Sequence, residues 1–147
     1  MTFTHEMGHI LGGWCCGGTL ADADLLPWRL PYSFFKPDPH PLITLWCGPI
    51  LGIITPLTIA ALINRMPYWF IAYFCMLANG VYIAAGWFSG DSYLDTTQLF
   101  AHGASRWSVL VYCAVSITVG YLGFRKAFLA ILVNGKDNRP VEVTGGL

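Results

Sequence analysis

Five residues near the start of the chain, His5-Glu6-Met7-Gly8-His9, have the types and spacing of a metal-dependent hydrolytic site. On an α-helix, positions i and i+4 share a face, so His5 and His9 can bind one metal ion together. Glu6 can then act as general base towards a metal-bound water molecule. The pattern therefore predicts His5 and His9 as metal ligands and Glu6 as the catalytic residue, with chance occurrence of a short motif as the alternative.

The composition around this motif indicates a membrane protein. Of the 147 residues, 55% are hydrophobic and 11% are charged, against roughly 25% charged residues in an ordinary soluble domain. Eight basic and eight acidic residues give a formal net charge of zero, so the charge balance does not favour a nucleic-acid partner. We therefore expect membrane lipid as a partner and an integral, multi-pass location in a membrane.

Three apolar stretches after the motif are long enough for transmembrane helices, since about 20 residues span the hydrocarbon core. They are residues 42–63, residues 68–88 and a stretch that begins at residue 108 and ends near residue 133. Together with the motif helix they predict an all-α, multi-pass transmembrane bundle.

The remaining segments are shorter or more polar. Residues 1–14 predict a short helix that carries the motif; because it is too short to span a bilayer, we expect an N-terminally truncated chain or a half-inserted helix. Residues 15–41 predict a proline-rich loop, with a short strand or hairpin as the alternative. We therefore divide the chain into a membrane-embedded domain, residues 1–133, and a polar, disordered tail, residues 134–147.

A catalytic zinc site needs a third protein ligand and an open position for water. Alternating spans place residues 89–107 on the same side of the membrane as the loop that follows the motif helix. Asp95 is the preferred candidate in this segment and Asp91 the second, because a carboxylate beside a membrane span is costly unless it is paired or bound to a metal. For each of them the alternative is a helix cap or a solvated loop residue. The other carboxylates considered were Asp22, Asp24, Asp38 and Glu142.

Three further features lie outside this ligand set. His40, between two prolines, is a candidate substrate or oxyanion contact, with an interfacial loop histidine as the alternative. Asn79 lies in the middle of an apolar run, where a buried amide needs a hydrogen-bond partner. Gly48 and Gly52 form a G-x-x-x-G pattern, which favours close helix packing over a catalytic role.

These residues together resemble a known family. Residues 4–12, THEMGHILG, resemble the H-E-x-G-H opening of the site-2-protease-like membrane metallopeptidases, peptidase family M50, particularly its short M50B-like members. Residues 90–95, GDSYLD, look like the family's aspartate-bearing segment, and residues 39–49 look like its Gly-Pro element. In the family that aspartate is commonly followed by glycine, whereas neither Asp91 nor Asp95 is. The resemblance covers residues 4–107.

The resemblance implies a zinc ion bound by His5, His9 and an aspartate, with Glu6 activating water. It implies hydrolysis of peptide bonds, in a peptide or membrane-protein substrate, at or within the bilayer. The alternative is a truncated or degenerate relative that acts as a non-catalytic scaffold or metal-binding module. The distribution of basic residues slightly favours a cytoplasmic C-terminal tail. Nothing in the sequence indicates an oligomeric state.

Overall fold

The structure is a computed structural model that describes residues 1–26, 29 and 31–137, with side chains described as far as residue 133. Within this part of the chain the elements follow in the order α1 (Thr2–Cys15), β1 (Leu20–Asp24), β2 (Tyr32–Phe35), α2 (Pro41–Ile63), α3 (Met66–Ser89), α4 (Asp95–Ala101) and α5 (Arg106–Asp137). Residues 134–137 of the predicted tail thus belong to α5, and residues 138–147 lie outside the described residues.

Three of the helices, α2, α3 and α5, are long and apolar enough to cross a membrane. Their bounds lie close to those of the three predicted spans. Large apolar side chains such as Leu62, Phe74 and Val111 are exposed on their outer surfaces. Exposure of apolar side chains is unfavourable in water but not in lipid, so it is consistent with a membrane protein.

Between α1 and α2 the chain forms an antiparallel hairpin, in which Leu20 lies opposite Phe35 and Ala23 lies opposite Ser33. The aromatic residues of β2 favour a strand, and pairing satisfies backbone groups that an irregular loop would leave exposed. The fold is therefore mainly helical but not strictly all-α, which corrects the prediction. The alternative of a short hairpin within residues 15–41 is confirmed.

The helices pack in sequence, with α1 along α2, α2 along α3, and α3 along α5. The helices α1 and α2 lie close together at Gly8, where an added Cβ atom would clash with the backbone of Cys47 and Gly48. The absence of a side chain at Gly8 therefore sets how near the motif helix can come to the first long apolar helix.

The short helix α4 was not predicted from the sequence. It is anchored by Leu99, which is fully buried in a cluster with Ile83 of α3, and by Thr96, whose hydroxyl donates a 2.7 Å hydrogen bond to the Ile83 carbonyl. These contacts hold Asp95, the first residue of α4, in a fixed place beside α3. A seven-residue helix has too little apolar periodicity to be recognised without these partners.

The contact at Gly8 can be tested by Gly8→Ala. We expect the variant to lose about 1–3 kcal/mol of unfolding free energy, because the added methyl group forces α1 away from α2. The control is Leu11→Ala, on the exposed side of the same helix. Thermal unfolding in detergent measures both, and equal stability of Gly8→Ala and the wild type would contradict the close approach.

Candidate metal centre

The helix α1 brings both motif histidines to one buried position. His5 is 3% exposed and His9 is 5% exposed, and their ring centroids lie 4.9 Å apart in an edge-to-face arrangement. Glu6, between them in sequence, is also buried, at 8% exposure. Polar side chains are rarely buried in an apolar bundle without partners, so each buried ring is expected to have hydrogen-bond partners or a metal ion.

His9 is oriented by the backbone of α2. Its Nδ1 lies 2.9 Å from the Thr44 carbonyl oxygen, which can only accept, so Nδ1 carries a proton and Nε2 is left for a second proton or a metal ion. The ring lies on Gly48, where an added Cβ atom would clash with it. His9 Nε2 is buried and has no hydrogen-bond partner within the described part of the chain.

His5 is oriented by a side chain of α3. Its Nδ1 lies 2.8 Å from Asn79 Oδ1, and the Asn79 amide in turn donates a 2.9 Å hydrogen bond to the Cys75 carbonyl. That second bond fixes which end of the amide faces His5. Gly52 leaves room for the amide, since an added Cβ atom would lie 2.9 Å from Asn79 Oδ1. His5 therefore donates through Nδ1, and its Nε2 faces the Asp95 carboxylate.

Asp95 meets both imidazoles. Its Oδ2 lies 2.7 Å from His5 Nε2 and 3.4 Å from His9 Nε2; the longer distance is an ion-pair contact and not a hydrogen bond. Burial alone would raise the pKa of Asp95, but the hydrogen bond from His5 and the closeness of His9 outweigh it and hold that pKa well below its usual range. Burial lowers the pKa of His9, but the Asp95 carboxylate outweighs this effect and raises the pKa above its ordinary value.

Glu6 supplies a second carboxylate beside the two rings. One ligand atom each from His5, Glu6 and His9 lie within 4.8 Å of one another, so this group could hold a metal ion. Glu6 Oε2 accepts a 3.0 Å hydrogen bond from the Ser33 hydroxyl of β2. Asp95 Oδ2 lies 2.7 Å and 3.4 Å from the two histidine Nε2 atoms, so Asp95 is a candidate third ligand beside Glu6.

The residues present fit a divalent metal ion. Two imidazole nitrogens and one carboxylate oxygen converge, and ligand atoms around a tetrahedral zinc ion are about 3.3 Å apart. The His9–Asp95 distance of 3.4 Å already matches this spacing, and the His5–Asp95 hydrogen bond of 2.7 Å would open slightly. The unpartnered His9 Nε2 atom would be satisfied by an ion at this place.

The other sequence candidates lie elsewhere. Asp91 is exposed and accepts a hydrogen bond from the Tyr93 backbone, and His40 is exposed at the start of α2, where its backbone N–H donates to Asp38. Asp22, Asp24 and Asp38 each bond to a local partner, namely Tyr32, Leu26 and Thr44 respectively. Glu142 lies outside the described residues.

Two groups that contact the site residues, the Thr44 carbonyl and the Ser33 hydroxyl, were not predicted from the sequence. The Thr44 carbonyl orients His9 through the backbone, so the residue type at this position carries no signal. Ser33 lies in a segment expected to be a loop, and only the pairing of β2 shows that it reaches Glu6. For Asn79 the sequence predicts a buried amide in need of a partner, and the structure provides two, His5 and the Cys75 carbonyl.

Comparison of the chain with protein-family models, with curated proteins and with solved structures gives no match.

The choice of third ligand can be tested with Asp95→Ala and its matched variant Asp91→Ala. We expect wild type and Asp91→Ala to retain about one zinc ion per chain after purification. Asp95→Ala should bind zinc more than about 100-fold more weakly, because loss of a direct ligand exceeds the usual effect of an outer partner. Metal analysis and a competitive zinc titration measure this, and the reverse ranking would assign the ligand to Asp91.

The role of the buried amide can be tested with Asn79→Ala. Without this acceptor the His5 ring is free to rotate, and zinc affinity should fall by about 10–100-fold while the fold is retained. The control is Asn64→Gly, which removes an exposed amide at the left-handed end of α2. Unchanged zinc affinity in Asn79→Ala would show that Asn79 serves helix packing alone.

Proposed function

We propose that this chain is a membrane-embedded zinc-dependent peptidase that hydrolyses peptide bonds at or within the bilayer, as the resemblance to the M50 metallopeptidases implies. The observation that carries the proposal is the meeting of His5 Nε2, His9 Nε2 and Asp95 Oδ2, with the Glu6 carboxylate beside them. This meeting takes place next to helices long and apolar enough to cross a membrane.

The donor set favours zinc in a catalytic role. Structural zinc sites are closed by four protein ligands, whereas catalytic sites use three and leave one position for water; two histidines and one carboxylate form such a set. When bound, the metal would lower the pKa of a water molecule and polarise a peptide carbonyl.

The protein's own groups supply the proton transfer. Glu6 is buried next to the histidines, so its carboxylate can take a proton from the attacking water and return it to the leaving amine nitrogen. The Thr44 carbonyl and Asn79 hold the two rings so that Glu6 and the ligand atoms keep their relative positions during the reaction. Such fixed placement of reacting groups accounts for a large part of enzymatic rate enhancement.

The setting also restricts the substrate. A peptide in a transmembrane helix has its carbonyl groups hydrogen-bonded within the helix. The reacting carbonyl must therefore leave the helical conformation before Glu6 and a water molecule can reach it. We expect substrates with glycine, proline or other helix-weakening residues near the cleaved bond.

The catalytic role of Glu6 can be tested with Glu6→Gln, which keeps the size of the side chain and removes its basicity. In proteoliposomes with a panel of transmembrane peptides that contain helix-weakening residues, we expect kcat to fall by about 10²–10⁴-fold. Zinc content should stay at the wild-type level. The control is the double variant His5→Ala/His9→Ala, which should lose both zinc and activity.

Two outcomes would contradict the proposal. Undiminished cleavage by Glu6→Gln would remove Glu6 from the mechanism. A wild type that holds zinc and cleaves no peptide of the panel would favour the non-catalytic metal-binding module instead.

A further inference from the structure

We propose that Ser33 is a positioning residue that keeps the Glu6 carboxylate out of the metal's ligand set and turned towards water. The inference rests on the proposed function, and it deepens that function by adding the β1–β2 hairpin to the active site. It starts from one contact, the 3.0 Å hydrogen bond that the Ser33 hydroxyl donates to Glu6 Oε2.

Two carboxylates, Asp95 and Glu6, lie near the histidines, whereas a catalytic metal with three protein ligands needs only one of them. Asp95 Oδ2 already lies within 3.4 Å of both histidine Nε2 atoms, and Glu6 offers a further ligand atom within 4.8 Å of the ligand atoms of His5 and His9. If Glu6 also bound the metal, it would fill the position that water needs and would cease to act as a base. A contact with another residue must therefore keep the Glu6 carboxylate from binding the metal.

The helix α1 does not supply this restraint in the structure. The hydroxyl of Thr4, its nearest hydroxyl-bearing neighbour along the helix, is bonded to the Met1 carbonyl. Glu6 is only 8% exposed, so bulk water has little access to its carboxylate. The partner comes from β2, a separate element.

The hairpin that carries Ser33 is itself fixed against α1. Phe35, two residues further along β2, is buried and lies against Gly13, where an added Cβ atom would be 2.7 Å or less from three atoms of its ring. The same ring contacts Gly18 at the entrance to the hairpin. Because residues i and i+2 of a strand share a face, the seating of Phe35 also directs Ser33 towards α1.

The hydrogen bond separates the roles of the two carboxylate oxygens. Oε2 accepts the hydrogen bond from the Ser33 hydroxyl, so a rotation that carries Oε2 away from β2 towards the histidines would break this bond. Oε1 is left to accept a proton from water. The interaction is charge-assisted, which makes it stronger than a bond between neutral groups.

The test compares Ser33→Thr with Ser33→Val, which have nearly the same shape and both favour a strand. Each variant is loaded with Co²⁺ in place of zinc, because the visible absorption of Co²⁺ responds to the identity and geometry of its ligands. We expect the Thr variant to match the wild type. In the Val variant the absorption bands should shift, because the Glu6 carboxylate replaces water as a ligand. The added substitution Glu6→Gln should reverse this change.

Activity gives a second readout. In the Val variant kcat should fall by roughly 10–100-fold, the size of a lost hydrogen bond to a charged group, while KM stays constant. The Thr variant should recover the wild-type kcat. Tyr32→Phe is the matched control, since it removes the neighbouring hydroxyl of β2, which bonds to Asp22 on the exposed side; it should change neither the spectrum nor kcat.

Identical Co²⁺ spectra of the Thr and Val variants would overturn the proposal. The same spectral change in Tyr32→Phe would also overturn it, because the effect would then follow from disturbance of the hairpin. If the wild type binds Co²⁺ but hydrolyses no peptide, the proposed function fails, while the spectra still decide whether Ser33 holds Glu6 away from the metal.

Discussion

Each imidazole ring has two nitrogen atoms, and in an apolar bundle both need a polar partner or a metal ion. Because His5 and His9 are both buried, other elements of the structure must supply these partners. The partners come from three different elements: the Thr44 carbonyl of α2, the Asn79 amide of α3 and the Asp95 carboxylate of α4. Each of these elements must dock correctly before the histidines can be buried.

The docking of these elements depends on small residues at chosen places. The absence of a side chain at Gly8 allows α2 to pack closely against the motif helix. In the same way, the ring of His9 packs on Gly48 and the amide of Asn79 packs on Gly52. The G-x-x-x-G pattern predicts helix packing, and in the structure His9 packs on Gly48 and Asn79 packs on Gly52, both at the candidate metal centre. The same two glycines of α2 therefore allow close packing and leave room for the side chains of the candidate metal centre.

Much of this arrangement could be predicted from residue types and spacing. The H-E-x-x-H pattern identifies the motif helix, hydropathy identifies the three long helices, and alternation of spans predicts Asp95 as a partner of the motif helix, where the structure has Asp95 in contact with His5. The rest depends on contacts that leave no trace in residue type or periodicity. The hairpin, which the sequence offers only as an alternative to a loop, arises from pairing between the backbone groups of β1 and β2. The helix α4, which was not predicted, exists because Leu99 and Thr96 find partners on α3.

The two histidines are held in different ways, and this has a consequence for how the chain can vary. His9 takes its orientation from a main-chain oxygen, which every amino acid at position 44 would provide as long as α2 keeps its path. His5 depends on the side chain of one residue, Asn79, and on the space left for it by Gly52. The orientation of His9 therefore tolerates substitution at position 44, while the orientation of His5 is lost if Asn79 is replaced by a residue without a hydrogen-bond acceptor.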